Sequence, residues 1–225
     1  MSSIKKPPIA AVLPFYSTGE EIANTVLHGI GTLGAIAGLV LLNLKTTGIF
    51  GGQKTSTLDN IAAILFSATM IGMFLISTLY HAVQHKSVKP ILRKLDHSVI
   101  FIFIAGTYTP FCLIGLGGLW GWGIFLLEWI MALLGIILNI LDSKALKKIE
   151  MAAFILMGWA IVVGSVPLFR SISSHSIILL FAGGIAYTAG TFWYRKKTLK
   201  YNHAIWHGLV LAGTVCHWFS IWYII

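Results

Sequence analysis

Seven runs of about 20 apolar residues, each long enough to cross a bilayer, follow one another through most of this chain. They lie at roughly 22–43, 58–80, 96–116, 119–140, 150–169, 175–194 and 203–224, with connections too short to hold a soluble domain. A backbone in hydrocarbon must satisfy its own hydrogen bonds, so the expected fold is all-α. We expect one domain over residues 1–225, an integral membrane bundle of seven transmembrane helices. Composition agrees: of 225 residues 57% are hydrophobic and 10% charged, and the mean hydropathy is +0.85. Soluble domains do not carry such values.

The net charge of +9 would suit a nucleic-acid partner if it were clustered. It is instead sorted by topology. With the N-terminus inside, the inner segments hold 13 of the 16 basic residues, and only Lys45, Lys54 and Arg170 fall outside. This is the positive-inside pattern, which predicts a cytoplasmic N-terminus and an outer C-terminus in whatever membrane holds the chain; the plasma (inner) membrane is the expected one. No nucleic acid is expected; membrane lipids are, as substrate or ligand. The stretch before the first span contains Lys5 and Lys6, but Pro7, Pro8 and Pro14 interrupt it, so it reads as a retained tail rather than a signal peptide. The chain ends at Ile225 with the last span, and no further domain is expected after it.

Polar residues concentrate at the inner ends of spans 1, 2, 3 and 7: Glu21-x-x-Asn24-x-x-x-His28, Ser77-x-x-x-His81, Asp96, and His203-x-x-x-His207. At 100° per residue the members of each motif fall within about 60° of one another, so each forms a single stripe. Two histidines at i and i+4 offer two imidazoles to one ion. His81 from span 2 would make three, with one position left for water, the arrangement of catalytic zinc. Glu21, Asn24 and His28 read as partners that orient the ligands. Asp96 has a plainer reading as an acid at the N-terminal end of a helix. So has Ser77, as a hydroxyl bonded to the carbonyl four residues back.

The order and wording of these motifs resemble the haemolysin-III branch of the progestin and adiponectin receptor superfamily. The matching stretches are residues 20–31, Ser77 to His81, Leu95-Asp96-His97-Ser98 with 105–110, and His203 to His207. The resemblance implies zinc on His81, His203 and His207, with Asp96 orienting the water of the site and Ser77 beside it as catalytic residues. It also implies a kinship to alkaline ceramidases, hence hydrolysis of a lipid amide or ester. Two other classes stand beside that one: a membrane sensor braced by zinc without catalysis, and a cytolysin, as the family name suggests.

Elsewhere Gly34-x-x-x-Gly38 and Ala186-x-x-x-Gly190 read as close-packing signals. Pro110 and Pro167 should kink or end their helices. Glu128, inside span 4 without an evident basic partner, and His217, about 15 Å beyond His207 at helical rise, are polar groups the zinc site does not absorb. Cys112 and Cys216 read as small buried apolar residues.

Overall fold

The computed structural model describes Pro14, residues 16–50 and residues 55–225. The tail reading for Lys5 and Lys6 and the outer placement of Lys54 lie outside the described residues. Among the described residues every regular element is helical: α1 (Thr18–Thr46), α2 (Thr57–Ala82), α3 (Lys89–Pro110), α4 (Gly118–Ile140), α5 (Lys144–Trp159), α6 (Ser165–Ser171), α7 (Ser174–Arg195) and α8 (Asn202–Trp222). A π turn, Phe111–Leu116, continues α3, and a 3-10 stretch, Ala160–Gly164, joins α5 to α6. Seven helical segments are long and apolar enough to span a membrane, the third running Lys89–Leu116 and the fifth Lys148–Ser171.

α1 buries mostly small and polar residues and leaves most of its large apolar ones outside. In α1 the inner stripe is Asn24, His28, Gly31, Ala35, Gly38, Leu42 and Thr46, while Ile22, Val26, Ile30, Leu33 and Val40 face outward. With lipid as solvent no hydrophobic force pulls helices together, so close approach at small residues does that work. Gly31 lies against the Phe74 ring and Gly38 against Trp218, each too near for a side chain. Of the two packing motifs, Gly38 and Gly190 are therefore contact points, whereas Gly34 has open space around it.

Both prolines mark breaks, at different offsets. After Pro110 the chain widens into the π turn and leaves through Gly117 and Gly118, both at positive φ. The interruption tied to Pro167 lies upstream, because the ring collides with the carbonyl four residues earlier, at Val163, inside the 3-10 stretch. Tyr108 of α3 serves that break: its hydroxyl donates to Gly158 O at 3.0 Å and accepts from the Ile161 N–H at 2.9 Å. Cys112 and Cys216 are both free thiols.

α1 packs along α2 and α8, α2 along α3, α3 along α4, and α7 along α8, whereas α5 touches α3, α4 and α7 only sparsely. That loose helix leaves a cavity of about 930 Å³, its open side included, walled mainly by α3, α5, α7 and α8. Alternation of the spans puts the start of α1, the end of α2 and the starts of α3 and α8 at one face. The charge pattern predicts that this face is cytoplasmic. A cysteine replacing Lys144, exposed beside the α4–α5 turn, in a background without Cys112 and Cys216, should label with an impermeant thiol reagent only after cells are opened. Labelling of intact cells would invert the orientation.

Candidate metal centre

The site begins with how α1 starts. Ser17 caps the helix, its Oγ accepting the Glu20 N–H at 3.4 Å while Glu20 Oε2 accepts the Ser17 N–H at 2.9 Å. Glu20 Oε1 also accepts the Tyr201 N–H at 3.0 Å. Tyr201, at φ +60, turns the chain into α8, and Asn202 donates to Tyr194 O at 2.8 Å. These bonds fix the entry of α8 against that of α1, and His203 follows at once.

Three Nε2 or Nδ1 atoms, one each from His81, His203 and His207, lie within 4.8 Å of one another, and all three residues are buried. His81 Nε2 stands 3.2 Å from His203 Nε2 and 3.1 Å from His207 Nε2. Ligands at about 2.0–2.1 Å from a tetrahedral ion lie about 3.3–3.4 Å apart, so the spacing is close to the edge of such a site.

Proton counting points the same way. Glu21 Oε2 lies 2.6 Å from His81 Nδ1, and a carboxylate only accepts, so Nδ1 carries the proton and Nε2 presents a lone pair. Asn24 Nδ2 is 3.3 Å from that Nδ1. Two donors do not face one another; turning the amide over brings Oδ1, otherwise buried without a partner, to the N–H. His207 Nδ1 is 2.6 Å from His28 Nε2; in the tautomer whose Nδ1–H donates to His28, the His207 Nε2 lone pair is left for the centre. Imidazole nitrogens in this arrangement fit a first-row transition ion.

Aromatic rings surround the cluster. Tyr16 stacks on His203 with centroids 4.9 Å apart, and Tyr194 and Trp206 lie at 5.4 and 5.1 Å from the same imidazole. Burial raises the pKa of the Tyr16 hydroxyl, which stays a neutral phenol.

The model of haemolysin-III-related proteins matches residues 16–218 of this sequence. The chain belongs to that family. It is 39% identical over 206 residues to the hemolysin-3 homolog of Bacillus subtilis (strain 168), covering 92% of this chain and 94% of that protein. Hemolysin-3 of Bacillus cereus is 38% identical over 203 residues, covering 90% of each. The human monocyte to macrophage differentiation factor is 28% identical over 215 residues, covering 90% of this chain and 83% of that protein. This places the haemolysin-III-related chain in the progestin and adiponectin receptor superfamily, as a multi-pass membrane protein.

Asp96 is not one of the three clustered ligand residues; with Ser77 and His28 it lines the large cavity. α3 begins at Lys89, so Asp96 lies about two turns inside the helix and is no end-capping acid. The plainer reading of Ser77 also fails: Ser67 and Thr78 in the same helix bond the carbonyl four residues back, and Ser77 Oγ has no such partner. Its hydroxyl is near enough to Asp96 to interact, though no bond of normal geometry joins them.

His217 lines the same cavity farther along α8, its Nε2 3.0 Å from Leu180 O. Glu128 is 1% exposed in the inner stripe of α4, one oxygen without a partner. His97 pairs with Glu150 at 3.0 Å between α3 and α5. Sequence reasoning missed Lys89, which is buried and reaches Glu21, and Tyr16 over His203. Lys89 reads in sequence as one more inner-face cation, and Tyr16 as part of the tail.

Purified protein is expected to carry about one transition-metal ion per chain. Replacing His81, His203 and His207 together with alanine should abolish uptake in metal analysis; full content in that variant would remove the site.

Proposed function

We propose that this protein is a zinc-dependent hydrolase of membrane lipid amides or esters, acting at the cytoplasmic side of the plasma membrane. The observation that carries the reading is the meeting of two environments. The three histidine nitrogens, with no carboxylate of the described residues joining their set, lie next to an apolar cavity reached through His28, which contacts His207, and lined also by Ser77 and Asp96. Three protein ligands and a free position are the pattern of catalytic rather than structural zinc. The cavity suits an acyl chain, and the sparse contact of α5 with α7 supports entry from the lipid.

Zinc, when bound, supplies a Lewis acid for a carbonyl and brings the pKa of water toward about 7. In this reading Asp96 accepts a proton from the attacking water as its oxygen adds to the carbonyl carbon. The same carboxyl returns that proton to the departing amine or alcohol as the carbon–nitrogen or carbon–oxygen bond breaks, leaving a fatty acid. The free Ser77 hydroxyl donates to the carbonyl oxygen as charge gathers there. Glu21 and His28 hold two of the imidazoles in their ligating orientation.

A second reading has one observation in its favour. α2 and α8 both pack on α1 and scarcely on each other, so an ion on His81, His203 and His207 would tie them, as a sensor or receptor-like protein requires. Red-cell lysis, denoted by the name of the Bacillus cereus relative, then follows from altered membrane lipids in the enzymatic reading.

Asp96→Asn separates the two. The variant should keep its zinc and its thermal stability and lose about a hundredfold or more of hydrolysis of a lipid amide such as a ceramide. Full activity of Asp96→Asn would take Asp96 out of the mechanism. A zinc-loaded wild type that is silent on a broad set of lipid amides and esters would favour the tie between helices.

A further inference from the structure

We infer that Lys89 is a positioning residue of the metal centre, holding Glu21 in the one orientation that fixes His81 for ligation; the inference rests on the metal reading of the three histidines. Lys89 is the first residue of α3 and only 7% exposed. Its ammonium donates to Glu21 Oε1 at 2.7 Å and to Tyr80 O at 3.2 Å, and it lies 5.1 Å from the centre of the Tyr80 ring. The other Glu21 oxygen receives the His81 Nδ1–H at 2.6 Å.

The two carboxylate oxygens thus have separate tasks. One is anchored by Lys89 and the other holds the imidazole, so an unbroken chain of contacts runs from α3 through α1 to the ligand on α2. Glu21 needs the anchor because it also lines an open depression of about 750 Å³, its open side included, with Tyr16, Thr18, Ile22, Thr25 and His81. A carboxylate on a two-carbon stem at such an edge gains by turning out to water, and the His81 ring would then lose the acceptor that sets its tautomer and rotation. Lys89 also meets a carbonyl in the last turn of α2, where a cation opposes the helix dipole. Its position could therefore serve the fold alone, and the test has to separate the two roles.

Zinc affinity of the full-length protein in detergent, measured by competition with a chelator, is the readout for wild type, Lys89→Met, Glu21→Gln and the double variant. Lys89→Met is expected to bind zinc ten- to a hundredfold more weakly, the loss typical of partners that orient a ligand. Lys89→Arg, which keeps a charged donor for Glu21 and Tyr80, should stay within a few-fold of wild type. In the Glu21→Gln background the lysine substitution should cause no further loss, because its effect runs through Glu21. The same factor in both backgrounds, or unchanged affinity in Lys89→Met, would overturn the inference. Should Lys89→Met alone not fold, the double variant, with both charges removed, is compared with Glu21→Gln: equal affinities support the role and a further drop overturns it. The absorption spectrum of bound cobalt should keep its three-imidazole character in every variant, since no ligand is lost; a changed spectrum in Lys89→Met would mean that Lys89 shapes the ligand set itself. A wild type without zinc affinity overturns this inference together with the metal reading, and because turnover is not measured, failure of hydrolysis is told apart from both.

Discussion

Lone pairs that converge repel unless a cation or a proton sits among them. His81 Nε2 lies 3.1–3.2 Å from two other ring nitrogens, and its proton is committed to Glu21 on the far side of the ring. The arrangement is favourable around a cation, which satisfies all the converging lone pairs at once. The helix ends at that face are set to produce it: the capping box of α1, the bond from Tyr201 to Glu20, and the outward partners of His81 and His207. α1 is the rib of the site, since it supplies Glu21, Asn24 and His28 and is the helix on which both α2 and α8 pack.

The bilayer explains how the rest of the bundle is arranged around this polar cluster, which hydrocarbon would otherwise make costly. Large apolar residues face out in α1 and α4, and the inner stripes carry glycine, alanine and the polar groups. Hydroxyls in the spans are mostly bonded to carbonyls of their own helix, as in Ser67, Thr78, Thr107 and Thr109. Against that background a buried hydroxyl with no such bond is informative. Ser77 is one, and it lines the cavity.

The seven spans were legible because hydropathy reports the solvent of each segment directly. Helix ends were less so: α3 begins at Lys89, about two turns before the apolar run at 96, since Lys89, Arg93, Lys94 and Asp96 hide a helix from a hydropathy reading. That difference removed the end-cap account of Asp96. The three histidines could be placed on one face by rotation and topology, because both follow from helix geometry. Lys89 could not be told from Lys86, one buried on Glu21 and the other exposed, because charge counting sees only the side of the membrane. The cavity was illegible for a related reason. It arises from how little α5 touches its neighbours, a property of pairs of helices rather than of any one sequence segment.

The centre has two approaches of opposite character. From the helix-end face, the depression at Tyr16, Thr18, Glu21 and His81 leads to the imidazole that Glu21 holds. From within the bundle, the apolar cavity reaches His28, Ser77 and Asp96. Hydrolysis of a lipid needs both, since one reactant is water and the other cannot leave the bilayer. Tyr16, stacked on His203 and uncharged, lines the helix-end depression together with Glu21 and His81. In the proposed hydrolysis the two reactants would come from different solvents and meet between these two approaches, an arrangement that a purely structural tie between α2 and α8 does not call for.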